Sequence, residues 1–386
     1  MLAKPGLRCR ALDGLRGVAA LFVVFYHIPW TTHVSGALMV RNAYLWVDFF
    51  FILSGFVIAA NYARGITDGP ACRSFLLMRF FRLYPLHVAV LAALVALETI
   101  KLAAQGAVVS DVAPFTGPNS PRLLVENLFM LQGLGLEDRL GWNPPGWSIG
   151  AEFVAYVLFG LLAMVGALRR KSFIVVLAAL ALTADFTIAA TEKTLDATCA
   201  LGLLRCLAGF SLGVAIEFFS ARAHGESRAA RWSSAVLLLV FGVLACVQGA
   251  ATFVVIPLFV AVVATMQFDR GLASRLLTTR PAQFLGRASY SIYMIHAPLL
   301  AIATIVLKRA LHVPAHVVGA GPALQLPSPL IGDVAFAVVL VALLALAWAA
   351  FALIEEPARL FGRRLVASPA RSADATLHAS VKGASV

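Results

Sequence analysis

The sequence predicts an all-α polytopic membrane protein with about ten transmembrane helices and both termini cytoplasmic. Three observations lead there. Of the 386 residues, 61% are hydrophobic and only 13% charged, with a mean hydropathy of +0.88. A soluble domain carries about a quarter charged residues and about half apolar ones, so the bilayer must solvate most of this chain. Apolar stretches of about 20 residues recur along the sequence, and the basic residues are unevenly shared between successive connections.

The stretches lie near 16–31, 44–62, 83–103, 147–167, 172–190, 200–219, 233–249, 251–268, 286–307 and 333–354. The first, "LRGVAALFVVFYHIPW", carries Arg16 near its start and His27 near its end. The preceding "KPGLRCR" resembles the basic region of a signal peptide. No small-x-small cleavage pattern follows it, however, and nine more stretches come after. In the second, "VDFFFILSGF" places Asp48 near the outer face and Ser54-Gly55 at mid-membrane, where small residues let helices approach closely. The third follows "RFFRLYP", in which Arg79 and Arg82 are three apart on one helical face. The fourth opens with "NPPGWSIGAEFVAY", a Pro-Pro start that suits a helix entry. The seventh and eighth are separated only by "QGA". The ninth contains "GRASYSIYMIH", which sets Ser289, Tyr293 and His296 along one polar stripe.

Basic residues orient the chain. With the N-terminus inside, the inner segments hold 23 of the 31 lysines and arginines and the outer segments 7, while Arg205 falls within a span. The net charge of +12 is therefore a topological signal and does not point to nucleic acid. Residues 1–365 read as one transmembrane domain and 366–386 as a disordered cytoplasmic tail, polar and poor in large apolar residues. The longest outer connection, 104–146, contains "RLLVENLFMLQGLG", a short interfacial helix. Five cysteines without a CxxC and eight histidines without a ligand spacing call for neither a disulfide framework nor a metal.

Ionisable groups inside spans are costly, and they are where chemistry is to be sought. Arg16 and His27 are eleven residues apart, roughly 16 Å along a helix and half of a ~30 Å hydrocarbon core. Glu152 lies about 1.5 turns below Trp147, which by residue counting sets it at a depth similar to His27. A carboxylate there can fix the imidazole tautomer and raise its basicity. Plainer readings stay open: Arg16 as a snorkelling anchor, His27 as an interfacial residue beside Trp30, Arg79 and Arg82 as topology markers, and the Ser289 stripe as interhelical glue.

The segments "LDGLRGVAALFVVFYH", "VDFFFILSGF", "RFFRLYP", "NLFMLQ", "NPPGWSIGAE", "SYSIYMIH" and "IEEPARL", in this order over residues 12–360, resemble the acyltransferase-3 family of bacterial multi-span transferases. The family's Arg-x10-His pattern fits Arg16 and His27, its Arg-x2-Arg pattern Arg79 and Arg82, and its Trp-Ser…Glu pattern Trp147, Ser148 and Glu152. Trp46 stands where a small residue is common and Ala155 where an aromatic is common.

The resemblance implies an O-acyltransferase of the bacterial inner membrane. No cofactor would be bound, and cytoplasmic acyl-CoA, acetyl-CoA first, would serve as donor. The acceptor would be a carbohydrate hydroxyl on an extracytoplasmic or lipid-linked glycan, with the lipid bilayer as the surrounding partner. Arg16, Arg79 and Arg82 would hold the donor phosphates. His27, supported by Glu152, would act as general base, with a covalent acyl-histidine the less favoured variant. Asp48, Trp147, Ser148, Ser289, Tyr293 and His296 would line a substrate path. Some family members carry a fused esterase-like domain. No segment here reads as one, which implies that the chain works alone or passes the acyl group to a separate protein. The competing reading is a proton-coupled transporter or flippase of a glycan or small metabolite, with His27 and Glu152 as a proton relay.

Overall fold

A computed structural model describes residues 9–103, 113–220, 228–311 and 324–367. The tail beyond 367, residues 104–112 of the long connection and 221–227 of the sixth-to-seventh connection lie outside the described residues. Among the described residues the regular secondary structure is all helical, with one isolated bridge between Trp30 and Leu324. The ten apolar stretches correspond to α1 (Arg10–Tyr26), α2 (Trp46–Tyr62), α3 (Gly69–Ala103), α4 (Trp147–Met164) and α5 (Lys171–Glu192), followed by α6 (Gly202–Ser220), α7 (Ser233–Leu244), α8 (Val255–Met266), α9 (Arg280–Leu311) and α10 (Pro329–Ala350). Eight helices are long and apolar enough to cross a membrane, among the described residues. The other two are α7, which lies within the shorter apolar helix Ala230–Leu244, and α1, at 17 residues.

The first helix begins six residues earlier than the apolar run. Its opening N–H groups, which have no partner within the helix, are met from a distant loop: Arg10 and Ala11 donate to the two Asp269 carboxylate oxygens at 3.0 and 2.7 Å. It ends at His27, two residues before Pro29, which cannot continue a helix. The third helix also starts earlier than its apolar stretch, and Arg79 and Arg82 lie within its 35 residues, as their spacing on one helical face requires. The predicted interfacial helix is a two-turn segment, Pro121–Leu128. A turn at 245–254 separates α7 from α8.

Two glycine seams set the packing around the site. A Cβ on Gly17 would lie 2.4 Å from the Gly286 nitrogen, and one on Gly286 would lie 2.2 Å from the Asp13 carbonyl oxygen, so α1 and α9 meet backbone to backbone. Gly55 likewise faces the Phe210 carbonyl, where a Cβ would lie at 2.0 Å, which is the close approach expected of Ser54-Gly55. Contacts at Gly17–Gly286 and at His27–His296 make α1 and α9 parallel. Arg10, Arg79, Arg280 and Arg359 mark one end of the bundle, called here the basic end; His27 lies toward the far end. Trp46, at the position where the family favours a small residue, fills the core between Phe22 and Phe259, with ring centres 5.7 and 5.1 Å away.

Candidate active site

At the basic end Arg16 is tied to α9. Its Nε donates to the Ser289 hydroxyl (2.9 Å) and a terminal nitrogen to the Gly286 carbonyl (2.7 Å), with Asp13 at 3.8 Å. Arg79 donates to the Tyr62 hydroxyl (3.0 Å) and lies over that ring at 5.1 Å. Arg82 makes no hydrogen bond or ion pair among the described residues. The carboxylates of Glu355, Glu152 and Asp13 nevertheless bear on it electrostatically, as they do on Arg16. Glu355 is buried in a π-helical segment, Phe351–Glu355, where it accepts from Ser291 at 3.0 Å. Such segments recur at functional sites. Glu152 accepts from Ser54 (2.5 Å) and Tyr156 (2.6 Å).

Toward the far end, His27 borders a cavity of about 130 Å³ whose walls include Tyr26, Trp147, Asp196, Arg205 and Tyr293. Its Nδ1 contacts the Val23 carbonyl at 2.8 Å. A carbonyl only accepts, so Nδ1 carries the proton and Nε2 is the nitrogen left to act as a base. Within that wall, fully buried Arg205 grips Asp48 through two 2.7 Å hydrogen bonds and lies 5.7 Å from the ring centres of Tyr44 and Trp147. Asp196 accepts from Tyr26 at 2.5 Å and lies 3.8 Å from Arg205. His296, fully buried, packs its ring 4.9 Å from that of His27. Ser148 meets the Tyr293 hydroxyl at 2.9 Å, between the two clusters.

The polar stripe of α9 is therefore continuous: Ser289 meets Arg16, Tyr293 meets Ser148 and His296 meets His27. The expected pairing of His27 with Glu152 is corrected. The imidazole bonds its own helix, and the carboxylate bonds Ser54 and Tyr156. Residue counting explains the difference. Ser148 is level with Tyr293, which precedes His296 by three residues, and Glu152 lies four residues farther toward the basic end. On helical rise the carboxylate sits roughly 10 Å below His27. The carboxylate near His27 is Asp196, in the irregular stretch before α6. Asp48, expected on a substrate path, is 1% exposed and committed to Arg205.

Residues 10–353 match a family model described as an acyltransferase domain, that of the acyltransferase-3 family. The chain belongs to that family and is a multi-pass membrane acyltransferase. It is similar to the "Protein 2 in picA locus" of Rhizobium radiobacter, 37% identical over 166 residues, which are 41% of this chain and 84% of that one. It is also similar to the acyltransferase MdmB of Streptomyces mycarofaciens, 32% identical over 166 residues, or 40% of this chain and 39% of that one. The match to MdmB thus spans well under half of that protein's length. No solved structure matches.

Proposed function

We propose that this acyltransferase takes a small acyl group, acetyl first, from cytoplasmic acyl-CoA and places it on a hydroxyl of an extracytoplasmic or lipid-linked glycan. The observation that carries this reading is the division of α1. Arg16 stands among the basic-end arginines and His27 on a cavity roughly 16 Å away on the same helix. The excess of Lys and Arg supports a cytoplasmic basic end, and the membrane would be a bacterial inner membrane. Arg82, without a hydrogen-bond partner among the described residues, and Arg79 would receive CoA phosphates, for which guanidinium forks are well shaped. Arg16, held by Ser289 and Gly286, would add charge at the mouth of the path. The pantetheine arm would run beside Ser289, Ser148 and Tyr293 to bring the thioester toward His27.

The acceptor hydroxyl, arriving from the far side, would give its proton to His27 Nε2 as its oxygen attacks the thioester carbonyl. An ester C–O bond forms and the C–S bond breaks. The electron pair leaves on the CoA sulfur, which takes the proton back from His27 to give free CoA. A cavity of about 130 Å³ suits an acetyl group better than a long chain, since sites for drug-sized ligands run to roughly 300–1,000 Å³. Mass spectrometry of cell-surface glycans from cells with and without the protein tests the reading. A loss of acetyl esters from a glycan is the expected result. Unchanged glycan esters, with transport of an unmodified substrate lost instead, would overturn it.

A further inference from the structure

His296 is 0% exposed, and its Nε2 is a buried atom without a hydrogen-bond partner among the described residues. Its Nδ1 is committed to the Tyr293 carbonyl at 2.6 Å, so that nitrogen carries the proton and the orphan Nε2 is an acceptor. A buried acceptor left unpaired keeps its full desolvation cost and calls for an explanation. Its neighbour supplies one. The His27 ring centre lies 4.9 Å away at 61°, and Nδ1 of His27 is likewise committed to a carbonyl. Both imidazoles thus carry their one proton on Nδ1 and leave Nε2 as an acceptor. Between two such acceptors there is nothing to share until one of them gains a proton.

We propose that His296 is a positioning residue that accepts a hydrogen bond from His27 once His27 has taken the acceptor's proton. The inference rests on His27 being the general base. In the resting state His27 Nδ1 donates to the neutral Val23 carbonyl, which steadies an imidazolium less than the carboxylate of a His–Asp dyad would. Protonation turns His27 Nε2 into a donor. A small rotation of the ring, at this centre-to-centre distance, aims it at His296 Nε2. The bond exists only in the protonated state, after the hydroxyl has attacked and before the leaving thiolate reclaims the proton. It therefore favours the transition state over the ground state. His296 does not border the cavity, so it acts through His27 and not on substrate.

The test compares two side chains of nearly equal shape, His296→Gln, which keeps an acceptor, and His296→Met, which does not. Transfer is measured in proteoliposomes with acetyl-CoA and the glycan that loses its acetyl ester in cells without the protein, beside wild type and His27→Ala. A lost hydrogen bond to a charged group is worth about 10- to 100-fold. His296→Met is expected to lose that much kcat with both KM values within about twofold of wild type, and His296→Gln to recover most of it. If either variant fails to insert, His296→Leu and His296→Asn repeat the comparison. Equal losses in the acceptor-bearing and acceptor-lacking variants, wild-type kcat in His296→Met, or a loss confined to KM would overturn the proposal. Failure of the underlying reading looks different: His27→Ala would then keep transferring.

Discussion

At the far end Arg205 is met by both oxygens of Asp48 and by the Tyr44 carbonyl, all inside the bundle. At the basic end Arg82, on the same bundle, makes no hydrogen bond among the described residues, and a buried Nε of Arg79 has no partner. The first arrangement is closed. A bidentate, desolvated ion pair holds α2 to α6 and commits most of the Arg205 fork to the protein itself. The second is open: cations stand near Glu355 and Glu152 without bonding them, in a position to take anionic oxygens from outside the chain. Charge inside a membrane protein is costly in either case. The difference separates scaffold from binding site.

The largest effect should follow from opening the closed pair. Asp48→Ala leaves buried Arg205 with only the more distant Asp196 carboxylate, and removing one partner of a buried pair costs about 3–5 kcal/mol. A marked fall in thermal stability of the purified protein is expected, with donor affinity retained in whatever remains folded. A stable Asp48→Ala protein would show that the pair is no scaffold. The next effect belongs to the open end. Arg82→Ala should weaken acyl-CoA binding about 10- to 100-fold, from a lost charged hydrogen bond worth about 1.5–3 kcal/mol. Lys should restore part of it, as it lacks the planar fork, and stability should hardly change. Unaltered binding by calorimetry would close the comparison by making Arg82 a topology marker.

Glu152→Gln sharpens the boundary between the two ends. Because Glu152 bonds Ser54 and Tyr156 and bears on Arg16 and Arg82, its loss should lower kcat/KM for the donor by about tenfold while the acceptor KM holds. A change confined to the acceptor KM would return it to the side of His27. The smallest test perturbs nothing. Cys246 is exposed in the turn between α7 and α8, on the extracytoplasmic side if the basic end is cytoplasmic. An impermeant maleimide should label it from outside, and Cys246→Ser should abolish that signal. Labelling only after permeabilisation would invert both ends.

What the sequence made legible was what depends on period along one helix. Ser289, Tyr293 and His296 do lie on one face, and Gly55 does admit a neighbouring backbone. Relations between helices were read less well. Counting residues from helix ends made His27 and Glu152 level. The offset of α4 is set by the Pro144–Gly146 turn, anchored where Asn143 donates to the Met294 carbonyl at 3.1 Å. Nothing local to "GWSIGAE" reveals that anchor. Asp196 lies in irregular backbone without periodicity, and Glu355 appeared only as part of "IEEPARL". Arg205 did leave a signal. It was the basic residue that the count assigned to neither side of the membrane, and such a charge needs a buried partner, which Asp48 provides from 157 positions away.

The central claim is that the arginines at the basic end hold the donor while His27, far from them, does the chemistry. The most direct measurement takes one His27→Ala sample in proteoliposomes and reads both acyl-CoA affinity and acyl transfer. A general base contributes about 10²–10⁴-fold. Transfer should therefore fall by that range while donor affinity stays within about twofold of wild type. A folded His27→Ala protein that transfers at near wild-type rate, or that loses donor binding together with transfer, would contradict the account.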